Sequence, residues 1–419
     1  MIRRALTSAA PQRTLIAAGV AAVTAGAWLA AAPTAGAAFP GNNGLIAFVS
    51  TRSNQVAVYQ VNPQAQNLGT VAGDQAATNQ ITDGGGDDDA EPFYSADGNT
   101  IYFSSNRSGR WAIYSIPAAD GVPLPVPPNT AVVTPPTELS QVSGQESHDD
   151  YAPSATPNGK YIVFNRDNTQ LWVVDVTAAN PAGTACLLYA PPTGLKASSD
   201  NGADSRPVFD PVDGSKLVYA DAAGHLHLLT GIPVNSEPCA PAGLQDMDLS
   251  AAATLPANSP ANWSTGSDQD PDWNPTGTGL VFDSTRGGGH QLWTMNLANL
   301  PAVQIAPVWS GQVGPAGVSA TQPAYSPDGT RVTFTEPVVH NGVQVEDFML
   351  AVVGQPINQS VDLTLTTGAP QNSQPDWQPV PPGENVPESP YPVLLPGLGL
   401  LGGGIALLLR RRRLETARA

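Results

Sequence analysis

Six prolines stand at one place in a repeated pattern along this chain: Pro92, Pro153, Pro207, Pro271, Pro323 and Pro375, in steps of 61, 54, 64, 52 and 52 residues. Each is followed by one spacer and then usually an aromatic. In the first five copies a glycine turn and a short apolar run come next. A period of this length constrains the fold more than any local signal, because it means one supersecondary unit set against copies of itself. The fullest copy is Gln322-Pro323-Ala324-Tyr325-Ser326-Pro327-Asp328-Gly329-Thr330-Arg331-Val332-Thr333-Phe334. Tyr325 alternates with polar neighbours as a half-buried strand does. Pro327 presets the first corner of a turn and Gly329 accepts positive φ, so the segment reads as a hairpin.

Other copies follow suit. Phe93 to Gly98 precedes Ile101-Tyr102-Phe103, Ser154 to Gly159 precedes Tyr161 to Phe164, and Asp272 to Gly277 precedes Leu280-Val281-Phe282. Phe209 to Gly214 carries one additional residue before Leu217-Val218-Tyr219. Third strands are expected at Trp111 to Ile116, Leu171 to Val176, His225 to Leu229, Leu292 to Leu297 and Phe348 to Val353. Weaker fourth strands fit Glu138 to Val142, Cys186 to Tyr189 and Val361 to Leu365. Four short strands per unit make one propeller blade. At the N-terminal side, Leu45 to Val49 and Val56 to Val61 match second and third strands with no first strand before them. At the C-terminal side, Gln374-Pro375-Asp376-Trp377 matches a first strand with no second after it. The fragments are complementary. The expected fold is therefore all-β, a six-bladed β-propeller over residues 39–379, closed by a composite blade of N- and C-terminal strands that leaves no open radial edge.

Glycine and proline are abundant (41 and 42) and charged residues make up only 13%. Such a composition signals disorder when it is aperiodic, but here the prolines fall in register at turns and sheet ends. Val122 to Pro136 is the exception and reads as a flexible insertion in the second blade. Residues 1–38 read as an export signal peptide: Arg3, Arg4 and Arg13 precede an apolar run from Leu15 to Ala32, and Ala35-Gly36-Ala37 offers a cleavage site. Residues 380–392 form a proline-rich stalk. Residues 393–409 are charge-free and long enough for a helix of about 26 Å, so they read as a transmembrane segment. The arginines of the 410–419 tail place that flank in the cytoplasm. No Leu-Pro-x-Thr-Gly sortase motif is present. A single-pass C-terminal anchor on the cell membrane, with a monomeric module facing outward, is expected.

Residues 39–392 hold 10 basic against 34 acidic residues, a net charge of −24. A domain that acidic does not track nucleic acid phosphates and favours cations, basic partners or simple solubility. Three residues before the repeat prolines stand Asp89, Asp150, Asp204, Asp268, Ala320 and Asn372. The four aspartates predict an acidic column where the innermost strands begin, near one mouth of the channel. Clustered carboxylates on turns suit calcium; the favoured reading is that each aspartate caps its own loop by accepting backbone N–H bonds. Cys186 and Cys239 lie in outer parts of neighbouring blades, and an exported chain permits a disulfide between them. Trp111, Trp172 and Trp293 read as blade packing, whereas Trp263 and Trp309 fall outside the repeat as contact candidates. His225 and His227 share a strand face but lack a third metal ligand, so no metal or cofactor is assigned. No Gly-x-Ser-x-Gly elbow or His-Glu-x-x-His motif is present.

The repeat as a whole resembles the TolB-like propeller family. The matching residues include Pro323 to Gly329, Ser104-Ser105-Asn106-Arg107-Ser108-Gly109 with Ile113-Tyr114, and Ser284-Thr285-Arg286 with Leu292-Trp293. Phe39-Pro40-Gly41-Asn42-Asn43-Gly44-Leu45-Ile46-Ala47-Phe48 is similar to the start of exported actinobacterial members. What the resemblance implies is an interaction scaffold of the cell envelope. The family's namesake carries an additional N-terminal domain for which residues 1–38 leave no room, so its specific role does not carry over. The function expected is a non-catalytic, envelope-anchored scaffold binding a protein, peptide or glycan. The alternative is a propeller lyase or hydrolase working with channel-mouth carboxylates and calcium.

Overall fold

The computed structural model describes residues 39–381, apart from residues 53–54, 66–69, 83–85, 119–135, 142–146, 198–205, 237, 256, 258, 260–264, 287, 309–318, 341, 356–359 and 365–369. The described chain forms six sheets, and the innermost strand of each packs against the innermost strands of two neighbours, which closes a ring. Blade 1 is the composite: Asn372–Val380 innermost, then Asn42–Ser50, Ala57–Val61 and Thr78–Gln80. Asn42 pairs with Val380 and Ser50 with Asn372, so the two chain ends are knitted over the full strand. Gly41 is required there, since a Cβ on it would lie 2.7 Å from the Val380 carbonyl oxygen.

Blade 2 runs Asp89–Tyr94, Thr100–Ser105, Ala112–Pro117 and Thr137–Glu138. Blade 3 runs Asp150–Ala155, Tyr161–Arg166, Gln170–Asp175 and Cys186–Tyr189. Blade 4 runs Val208–Phe209, Lys216–Ala220, Leu226–Thr230 and Gln245–Asp248. Blade 5 runs Asp268–Trp273, Gly279–Ser284, Gln291–Asn296 and Val303–Pro307, with Ala253–Thr254 added in parallel at its edge. Blade 6 runs Thr321–Tyr325, Arg331–His340, Val343–Val352 and Val361–Asp362.

The repeat proline marks a bulge. In five innermost strands the residue before it is left-handed: Glu91 (φ 54°), Ala152 (50°), Asp270 (46°), Gln322 (51°) and Gln374 (54°). The ladder register slips at each of these places. Proline cannot donate to a ladder and pushes its predecessor out of the right-handed α region, so a bulge is the economical solution. Two residues past the proline, the aromatics of blades 5, 1 and 2 tie those blades to the ones before them. Trp273 Nε1 donates to the Val208 carbonyl at 3.0 Å, Trp377 Nε1 donates to Thr333 Oγ1 at 3.2 Å, and Gln60 bonds the Tyr94 hydroxyl. All three rings are buried, which couples a large apolar area to one directed hydrogen bond.

Third strands fall within a residue or two of their expected bounds in blades 2 to 5. In blade 6 the central hairpin is far longer than expected, ten residues on each side, and exposes Val339 and Val343 near its tip. Pro337 inside the strand masks that extension in the sequence. The Gln245–Asp248 strand was also missed, because an edge strand written Gln-Asp-Met-Asp has no apolar alternation. Most of the insertion expected at Val122 to Pro136 lies outside the described residues. So do the export signal, nearly all of the stalk, the membrane segment and the basic tail. Among the described residues no helix is long and apolar enough to cross a membrane.

Candidate functional site

Three of the four aspartates expected in the column are described, and their carboxyls do not line an open mouth. Asp89, Asp150 and Asp268 are fully buried at the first position of their strands. Each meets an arginine on the second strand of its own blade or in the loop just after it. Arg107 donates to Asp89 at 2.6 Å; Arg166 grips Asp150 at 2.6 and 2.8 Å; Arg286 grips Asp268 at 3.0 and 2.6 Å. Arg107 also lies over Phe103 and Tyr114, and Arg166 over Phe164 and Trp172. The unit is therefore a strut joining three strands of one blade, built from charge-assisted bonds and cation–π contact. Burial pushes the Asp89 and Asp150 carboxyls up, against the pull of their arginines. Asp204 lies outside the described residues.

Blade 1 keeps a variant of the strut. Ser50 Oγ and Arg52 both donate to Asn372 Oδ1, at 2.6 and 3.2 Å, and Arg52 lies over Phe48 and Tyr59. Blade 6 has lost both halves. Ala320 replaces the aspartate, while Glu336 and Val338 stand where Ser284 and Arg286 stand in blade 5.

The inner wall of the ring is laced by a second set of contacts. Gln322 Oε1 accepts from the N–H of Gln374 at 3.0 Å, Gln374 Oε1 accepts from Glu91 N–H at 2.8 Å, and Glu91 Oε2 accepts from Ala152 N–H at 2.6 Å. Each acceptor side chain precedes a repeat proline and each donor is the left-handed residue of the next blade. One storey further, Asp376 accepts from Tyr94 N–H (2.8 Å), Ser154 from Phe209 N–H (3.4 Å) and Asp272 from Tyr325 N–H (2.7 Å). The bulges thus leave N–H groups off the ladder, and side chains of the preceding blade satisfy them.

Arg206 breaks this local pattern. It belongs to blade 4, yet its guanidinium reaches Asp376 of blade 1, on the opposite side of the ring, at 3.2 Å. Asp272 of blade 5 feels the same cation, and its Oδ1 is buried with no hydrogen-bond partner. Burial pushes Asp272 up to about 6, and pushes Asp376 up to about 7 with Asp272 adding repulsion; Arg206 pulls both back. The result is a cross-channel ion pair beside a second carboxyl that titrates near neutrality.

The remaining candidates are accounted for individually. Cys186 and Cys239 form a disulfide that ties the outer strand of blade 3 to blade 4. Ala240 N–H donates to Leu187 O at 2.7 Å beside it. His225 and His227 turn to different aspartates, Asp248 at 2.8 Å and Asp246 at 2.9 Å, and so do not converge. Trp293 is buried, Trp172 lies under Arg166, and Trp111 packs against Tyr151. Trp263 and Trp309 lie outside the described residues. The sequence reading missed the arginine struts, although Asp and Arg recur 18, 16 and 18 residues apart. It also missed Arg206, Asp272 and Asp376, which a comparison of the residues flanking each repeat proline exposes.

One cleft adds a different kind of surface. About 580 Å³ in volume, it opens on the outer strands of blade 5 and is lined by Thr254, Leu255, Asn274, Met295, Asn296 and Gln304, among others. None of its described lining residues carries a charge.

No known family profile and no curated protein sequence matches this chain. Its fold has distant structural similarity to TolB-like six-bladed propellers. TolB from Acinetobacter baumannii is 14% identical with a TM-score of 0.47, covering 81% of this chain and 68% of that one. An oligogalacturonate lyase from Vibrio parahaemolyticus is 12% identical with a TM-score of 0.43, covering 76% of this chain and 75% of that one. A puromycin hydrolase is 11% identical with a TM-score of 0.36, covering 71% of this chain and 40% of that one. At these identities the likeness is one of fold alone.

Proposed function

We propose that this chain is a TolB-like, non-catalytic binding module of the cell envelope whose ligand is a protein, peptide or glycan. The observation that carries the reading is the uncharged cleft on blade 5. Its size falls within the range of ligand pockets, and amides and hydroxyls set among Leu255, Met295 and Ile305 suit hydrogen-bonding, neutral ligands. Asp89, Asp150 and Asp268 are held by arginines in struts, which favours a structural role for the column over a channel-mouth calcium ring. Export through residues 1–38, a stalk at 380–392 and an anchor at 393–409 belong to the same proposal and rest on the sequence alone. The test is capture from an envelope extract with the full chain, followed by the same capture with Asn274→Ala, Asn296→Ala and Gln304→Ala combined. Loss of the captured ligand with an unchanged melting curve supports the cleft; undiminished capture removes it.

A second reading is favoured by one observation, the unpartnered Oδ1 of Asp272 beside Asp376 and Arg206. Two carboxyls held near neutrality can act as an acid–base pair on a glycan. Turnover of a panel of acidic polysaccharides that disappears in Asp272→Asn would establish an enzyme and displace the scaffold reading.

A further inference from the structure

Blade 6 is where the struts fail, and a different set of groups converges there. His340 Nε2 lies 3.1 Å from Asp347 Oδ2 and 3.8 Å from Asp362 Oδ2, and the three ligand atoms all lie within 4.8 Å of one another. The three come from the three outer strands of one sheet: Arg331–His340, Val343–Val352 and Val361–Asp362. The ladder sets Asp347 opposite Glu336 and His340 opposite Val343, so it is side-chain direction that gathers them. Asp347 is 1% exposed; its Oδ1 accepts from Asn372 at 2.6 Å, while its Oδ2 points into the cluster with no hydrogen bond.

Charge makes the arrangement costly as it stands. In blades 2, 3 and 5 a buried carboxylate meets a guanidinium. Here Asp347 and Asp362 share one corner with Glu336 close enough to feel Asp362, and Val338 takes the arginine place. Arg52 of blade 1 attracts both carboxylates from a distance, but its hydrogen bonds go to Asn372 and Ser50. Carboxylates that converge without a full counter-charge take up either a proton or a cation.

We propose that His340, Asp347 and Asp362 form a divalent transition-metal site that replaces the arginine strut in blade 6. One imidazole and two carboxylates are a zinc- or manganese-type donor set. Ligands at about 2.0–2.1 Å from a tetrahedral ion stand roughly 3.3–3.4 Å apart, and the two histidine–aspartate separations here, 3.1 and 3.8 Å, lie on either side of that value. Calcium fits poorly, because it takes 6–8 oxygen ligands and one donor here is nitrogen. The ion cross-links the long hairpin to the outer edge strand, and neither its ligands nor its place in the ring coincide with the blade 5 cleft.

The test uses the full chain, stripped with chelator and titrated calorimetrically with zinc, manganese and calcium chlorides. Equimolar zinc or manganese binding is expected, with a rise in melting temperature and no matching response to calcium. Asp362→Asn, nearly isosteric, is expected to weaken binding by at least about tenfold, and His340→Ala to do likewise. His225→Ala, which removes an unrelated His–Asp pair, should leave binding intact. Should His340→Ala fold poorly, the visible spectrum of bound cobalt in the parent and in Asp362→Asn reports the same ligand loss. Absence of stoichiometric binding overturns the site, as does binding that Asp362→Asn and His340→Ala leave unchanged.

Discussion

Blades 3 and 6 answer one structural question in opposite ways. In blade 3, Asp150 at the head of the inner strand is held bidentately by Arg166, which lies 4.0 Å above the Trp172 ring. In blade 6 both halves of that strut are gone, the hairpin strands lengthen from six residues to ten, and a histidine and two aspartates gather in the same sheet. The lesson is that the repeated carboxylate serves the repeat. Chemistry free for another purpose stands where the repeat is broken, at blade 6 and at Arg206.

The comparison breaks most readily at Arg166. Arg166→Ala leaves Asp150 buried without its partner and is expected to lose about 3–5 kcal/mol of unfolding free energy in urea. Arg107→Ala should lose less, since that side chain is partly exposed and makes one contact to its aspartate. A near-neutral Arg166→Ala would mean the strut is ornamental. Next in size is the covalent tie between blades 3 and 4, which closes a separation of 53 residues. Replacing both cysteines by serine is expected to cost about 2–4 kcal/mol under non-reducing conditions. Smaller again is an attempt to rebuild the strut in blade 6. Ala320→Asp alone should lose about 1–3 kcal/mol by burying a carboxylate. Adding Val338→Arg should recover most of it, with a coupling of about 0.5–3 kcal/mol in the double-mutant cycle. Zero coupling would show that the strut is not portable between blades.

A further effect is read from pH. Asp272 and Asp376 have folded-state values raised to about 6 and about 7, above an ordinary value of 3.8. A carboxyl raised in the folded state contributes stability that is fully present below its unfolded value and lost as pH rises through its folded one. Stability should therefore decline as pH rises between about pH 4 and pH 7, and then level off. The groups facing this spot are Arg206, Tyr94 and Tyr325, together with the two carboxyls themselves. Asp376→Asn should flatten the slope, and an unchanged slope would place the titration elsewhere.

The ring, its blade count and its composite closure were legible because proline, glycine and aromatic residues each do one job at a fixed offset. Residue offsets also located the aspartates, yet not what they touch, since Arg107 and Arg286 sit on the far side of a hairpin and read only as part of a motif. The blade 6 cluster was illegible for a different reason. His340, Asp347 and Asp362 come from three strands, with no spacing that any metal motif shares, and only the curl of a sheet brings them together. Cys186 and Cys239 lay between these cases: the compartment permits the bond, but the approach of blade 4's loop to the Cys186 strand depends on packing.

Closing the ring with both ends of the chain also sets an order of events during synthesis. Asn42–Ser50 is made early, and the strand that covers its inner edge, Asn372–Val380, is made last. Until then the first blade carries an unpaired edge, the kind of surface that recruits strands from other chains. Contacts between residues so distant in sequence also form slowly. Composite closure therefore leaves the first blade's inner edge open until Asn372–Val380 has been made.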